Sequence, residues 1–96
     1  MDCSEIKYTN HAVEFMAARG ITEHQVTEVA RNGEIIENYP DDKPFPSCLM
    51  LAYVAEKPIH IVLGYEATKK LCVVITAYEP GIDKFELDFK TRKNKK

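Results

Sequence analysis

The hydrophobic period changes once along this chain, at Asn32-Gly33, and that change restricts the fold more than any other feature. Before it, apolar residues recur at helical spacing; after it, they run in short segments of strand type. Helices followed by a run of strands with short connections give an α+β domain, because parallel strands would need long crossovers between them. The reading is two N-terminal helices packed on a four-stranded antiparallel sheet.

Thr9-Asn10 supplies N-cap residues for the first helix, and Gly20 supplies its stop. Ala12, Phe15 and Met16 are expected to face the core. With about ten residues, this helix depends on tertiary packing. Thr22 and Gln25 stand as a capping box for the second helix, after Ile21. Val26, Val29 and Ala30 form its apolar stripe. The strands are expected at Glu34–Tyr39, Cys48–Ala55, Ile59–Tyr65 and Leu71–Tyr78, with a proline-rich loop from Pro40 to Pro46. Alternation puts Ile59, Ile61 and Leu63 on the helix-covered face and His60 on the other. On the last strand it sets Leu71, Val73, Ile75 and Ala77 against Cys72, Val74, Thr76 and Tyr78. The mixed face, with His60, Thr76 and Tyr78, is where chemistry is expected.

At 96 residues and 45% hydrophobic composition, the chain can bury one modest core. A deep cleft between lobes is not expected, so a site should lie on an open sheet face. The formal charge of −2 is uneven: Lys90, Arg92, Lys93, Lys95 and Lys96 close the chain with no acid among them. Removing these five charges leaves −7 on residues 1–89. The division is a single α+β domain, 1–89, and a basic tail, 90–96. An acidic body argues against unspecific nucleic-acid binding, which needs many neutralised phosphates. The tail reads as a solvated terminus, with a phosphate-binding arm as its alternative.

Cys3, Cys48 and Cys72 are odd in number and widely spaced, which suits free thiols in a reducing compartment. Cys48 and Cys72 fall in strand patterns and should behave as small buried hydrophobes. The first five residues lack signal-peptide character, and no apolar run approaches the roughly 20 residues of a membrane span. A cytoplasmic protein with no membrane association is expected. No paired metal-ligand spacing, glycine-rich phosphate loop or nucleophile elbow is present in the sequence, so no metal or cofactor is expected.

The run His11-Ala12-Val13-Glu14-Phe15-Met16-Ala17-Ala18-Arg19-Gly20-Ile21-Thr22 resembles the opening of the domain-of-unknown-function 4258 family. That opening commonly reads His-Ala, two variable residues, Arg-Met, two variable residues, Arg-Gly-Ile-Ser/Thr. The likeness continues through Asn32–Pro40, Pro46–Leu49, Pro58–Val62 and Val74–Pro80, in order along nearly the whole chain. The family is similar in fold to the RelE, colicin-nuclease and EndoU group of small metal-independent ribonucleases. The resemblance implies helices on a four-stranded antiparallel sheet, RNA as substrate, and for some relatives an antitoxin-like partner.

Metal-free RNA cleavage needs a group to move the 2′-hydroxyl proton and a cation for the phosphoryl charge. The resemblance makes His11 the acid/base candidate and Arg19 the phosphate holder. Thr76 and Tyr78 would orient substrate from the sheet; His60 and Arg92 are further substrate-binding candidates. Each has a plainer explanation. His11 suits an exposed first helical turn, and Arg19 favours a helix C-terminus electrostatically. His60, Thr76 and Tyr78 are ordinary strand residues.

Phe15 departs from the family pattern, which has Arg there. The usual His-Arg-Arg stripe at i, i+4 and i+8 becomes His11-Phe15-Arg19, and its middle cation is gone. The rival expectation is therefore a non-catalytic interaction domain that keeps the fold. A homodimer formed through a free sheet edge is another.

Overall fold

The computed structural model describes residues 1–93. Seven elements follow in order: β1 (Glu5–Tyr8), α1 (Asn10–Arg19), α2 (Glu23–Asn32), β2 (Glu34–Tyr39), β3 (Ser47–Val54), β4 (Lys57–Glu66) and β5 (Leu71–Tyr78). The strands form one sheet in the order β1-β5-β4-β3-β2. The α+β class and both helices agree with expectation, but the helices do not lead the chain, since β1 precedes them. The four-stranded, wholly antiparallel sheet is corrected too: there are five strands, and β1 runs parallel to β5.

Both helix starts carry the expected chemistry. The Thr9 side chain accepts from the Ala12 amide at 3.0 Å, and Gly20 closes α1 in the left-handed conformation. Thr22 and Gln25 complete a reciprocal capping box, with bonds of 2.8 and 3.1 Å. Val26, Val29 and Ala30 of α2 are fully buried, as is Ala12 of α1, and Met16 is buried beside it. Phe15, expected in the core with them, is only half-buried.

The core lies between these helices and one face of the sheet, where Met50, Ile61, Leu63, Val74 and Ala77 meet Val26 and Val29. The expected alternation along β5 is broken by a bulge. Val62 pairs with Thr76 and Leu63 with Val74, so Ile75 is the additional residue. A bulge inserts one residue and inverts the facing of everything beyond it. Cys72 and Val74 therefore point into the core with Ala77, whereas Ile75 is exposed. Thr76 and Tyr78 remain on the opposite face, across from Val62 and His60.

That opposite face, expected to be open, is also covered. After Pro80-Gly81 the chain turns back as a strap, closed by a bridge between Phe85 and Arg92 and by the Lys93 amide donating to the Lys84 carbonyl at 2.9 Å. Phe85 is 3% exposed and packs edge-on against the buried His60. Lys90 pairs with Glu34 and Arg92 with Glu37, so this part of the basic segment is tied to β2. Lys95 and Lys96 lie outside the described residues.

Cys3 is disulfide-bonded to Cys72, and Cys48 is the free, buried thiol. The expectation of three free thiols is corrected. Parallel pairing of β1 with β5 sets Ile6 opposite Cys72, and the Ser4 amide bonds the Lys70 carbonyl, so Cys3 arrives beside Cys72. No helix among the described residues is long and apolar enough to cross a membrane.

Candidate functional site

The outer edge of β5 explains why a cleft forms where it does. β1 pairs with β5 only as far as Tyr8 opposite Val74. Beyond that point α1 replaces a strand, and its ends supply donors to the orphan edge carbonyls. Thr9 Oγ1 donates to Ile75 at 3.3 Å, and Arg19 Nη1 donates to Ala77 at 2.8 Å. The Arg19 guanidinium also lies 4.4 Å from the centre of the Phe15 ring. Arg19 is thereby held at the end of β5, one residue from Tyr78.

Between the end of α1, the end of β5 and the strap is an open cleft of about 700 Å³, lined by Arg19, Tyr78, Glu79, Asp83, Lys84 and Arg92 among others. Three cations and two carboxylates face it. Of the six expected site residues, Arg19, Tyr78 and Arg92 share this cleft. His11, Thr76 and His60 are not among its lining residues.

His11 is exposed on α1 and stacks 4.2 Å from Phe15, the ring on which Arg19 also rests. It stands eight residues before Arg19, about 12 Å along a helix. Thr76 is half-buried in the sheet. His60 is fully buried behind Tyr78 and edge-on to Phe85, with ring centres 4.7 Å apart. Its Nε2 lies 2.7 Å from the Phe89 carbonyl oxygen and its Nδ1 lies 3.3 Å from the Tyr78 hydroxyl. Burial lowers the His60 pKa below its ordinary range and raises that of Tyr78 above its own.

Arg92 is not a loose tail cation. Its Nε and Nη2 grip both Glu37 oxygens, at 2.7 and 3.2 Å, and the guanidinium lies 4.9 Å from the centre of the Phe85 ring. Arg92 holds the Glu37 carboxyl below the usual carboxylate range. The Tyr39 hydroxyl donates to the same carboxylate at 2.5 Å, and burial, then this acceptor, raises its pKa. Glu37 thus neutralises much of what Arg92 could offer a ligand. Arg19 and Lys84 are the cations better placed to meet an anion.

Lys84, Glu37, Phe85 and Phe89 escaped the sequence reading. The sequence carries no local mark of their roles, since each acts only through the return of the strap across the sheet. Among the described residues, no group of three His, Cys, Asp or Glu side chains gathers to hold a metal ion.

Comparison with protein-family models matches residues 8–79 to a family described as a domain of unknown function, DUF4258. The match ends at Glu79, before the strap that brings Lys84 and Arg92 to the cleft. Comparison with curated proteins and with solved structures gives no match.

Proposed function

This chain belongs to the DUF4258 family, and on that premise we propose that it binds single-stranded RNA in the cleft beside Arg19. The observation that carries this reading is the meeting of Arg19 and Tyr78, from the end of α1 and the end of β5, in one open cleft with Lys84. Arg19 and Lys84 would hold phosphate through charge-assisted hydrogen bonds. Tyr78 offers a polar, aromatic surface to the adjoining nucleotide.

A narrower form of the proposal is a metal-independent ribonuclease of the toxin type, similar to the RelE group, acting in the cytoplasm beside an antitoxin-like partner. It draws on family resemblance. The cleft supports binding more directly than cleavage, because His11, the expected proton carrier, stands two helical turns away. Free thiols no longer argue for a reducing compartment, since Cys3 is bonded to Cys72.

Fluorescence anisotropy with a short single-stranded RNA, read at low and high salt, tests the proposal. Lys84→Ala should weaken binding about tenfold, as expected for a lost charge-assisted contact. Arg19→Ala should weaken it at least as much. A wild-type protein that leaves RNA unbound at low salt overturns the reading. Cleavage in the presence of EDTA, abolished by His11→Ala, would establish the narrower form.

Phe15 favours a second reading, that of a non-catalytic protein-interaction domain. Its half-buried ring carries both His11 and Arg19 where the family pattern has a cation, and Val13 nearby on α1 is 52% exposed. Phe15→Arg discriminates: RNA affinity should rise if the stripe meets phosphate and stay unchanged if it meets protein.

A further inference from the structure

The protonation of His60 can be assigned from its two partners and its burial. The Phe89 carbonyl can only accept a hydrogen bond, so the nitrogen 2.7 Å from it, Nε2, carries the hydrogen. In the neutral ring, Nδ1 is then a bare lone pair. Its partner is the Tyr78 hydroxyl at 3.3 Å, and a lone pair can be satisfied only if the phenol donates to it. Full burial keeps His60 in this neutral form.

The consequence falls on Tyr78. Its one hydrogen points inward, to His60, and toward a ligand the phenol oxygen can only accept. The same cleft holds Arg19 and Lys84 as donors for an anion, beside the carboxylates of Glu79 and Asp83. A ligand matching both would carry an anionic group and, next to it, a neutral hydrogen-bond donor. In a nucleic-acid strand that description fits the ribose 2′-hydroxyl, which stands beside the phosphate and which DNA lacks.

We propose that Tyr78, oriented by His60, selects ribose over deoxyribose in this cleft by accepting a hydrogen bond from a 2′-hydroxyl. The inference rests on the RNA-binding reading and deepens it, with Tyr78 as the specificity-determining residue and His60 as its positioning residue. A site built to meet a hydroxyl discriminates against the analogue without one, because its own polar group is then left unpaired.

The test uses one base sequence in three forms, as RNA, as DNA and as 2′-O-methyl RNA, with affinities measured at one salt concentration. The wild type should bind RNA about tenfold more tightly than either analogue, the methylated strand failing because it has no hydrogen to donate. Tyr78→Phe should bind all three alike, near the wild-type affinity for DNA. A wild type that binds the three forms equally overturns this inference and leaves nucleic-acid binding standing. A Tyr78→Phe protein that keeps the preference also overturns it. A wild type that binds none of them removes the RNA reading itself. If the variant fails to fold, the wild-type comparison of RNA with its 2′-O-methyl form still decides the matter.

Discussion

His60 donates its Nε2 hydrogen to the carbonyl of Phe89, 29 residues further along the chain. The bond joins β4 to the strap. Phe85 packs edge-on against the imidazole, Tyr78 donates to its far side, and Arg92 reaches back to Glu37 on β2. The strap beside the cleft is therefore anchored on a buried histidine as well as on its ion pairs to β2.

Replacing His60 should be costly. His60→Ala leaves the Phe89 carbonyl and the Tyr78 hydroxyl without their partner and opens a void under Phe85. Urea unfolding should register a loss of about 3 kcal/mol, since orphaned buried polar groups and cavities each cost about 1–3 kcal/mol. A loss below about 1 kcal/mol would mean that the strap is not anchored there.

The same residue should impose an acid limit on stability. Burial depresses its pKa in the fold below the ordinary value of 6.5. The unfolded chain therefore takes up the proton first as pH falls, and protonation favours unfolding. Stability should be level above about pH 6.5 and decline below it, by at most about 1.4 kcal/mol per pH unit for one proton. His60→Gln should flatten the decline between pH 6.5 and 5. Equal slopes in wild type and variant would assign the effect to other groups. At still lower pH, protonation of Glu37, whose pKa Arg92 lowers, acts in the same direction.

For the pair between Glu37 and Arg92, a double-mutant cycle is the proper measure. Glu37→Gln, Arg92→Ala and the double variant should give a coupling of about 1 kcal/mol, diminished in concentrated salt because the Arg92 side chain is 53% exposed. Arg92→Lys should recover only part of it, since an ammonium cannot grip both oxygens. A coupling near zero would show that this ion pair does not hold the strap, leaving His60, Phe85 and the Lys90–Glu34 pair to do so.

The two glycines that end the helices should respond differently to alanine. At Gly33 a Cβ would fall 2.5 Å from the Val29 carbonyl oxygen and 3.0 Å from that of Leu51, both backbone atoms that cannot yield without moving α2 or β3. Gly33→Ala should cost about 2–3 kcal/mol. A Cβ at Gly20 meets open space, so only the left-handed backbone, φ 69°, penalises Gly20→Ala, by about 1 kcal/mol. Thermal melts that rank the two in the opposite order would contradict this packing.

Local signals proved legible wherever the interaction itself is local. Thr9, Thr22 and Gln25 cap their helices through bonds spanning three residues, and such bonds leave a spacing that can be read. The faces of β4 followed from alternation because its register runs unbroken against β3. On β5 the same logic misplaced Cys72 and Val74, because a bulge depends on the partner strand. β1 went unseen since Glu5–Tyr8 is four residues long and joins the sheet only by parallel pairing with β5, far along the chain.

The candidate site divides in the same way. Arg19 and Tyr78 are residue types suited to phosphate and substrate, and they share a cleft; His11 is equally suited by type and does not join them. Chemical type and helical spacing belong to the residues themselves, and the chain alone determined them, together with the α+β class and both helices. Which side chains share a cavity, which cation is neutralised and which imidazole nitrogen holds a hydrogen depend on contacts between residues tens of positions apart. Those were decided only when the strap folded back across the sheet, because hydrogen bonds and ion pairs act over a few ångströms of space and take no account of distance along the chain.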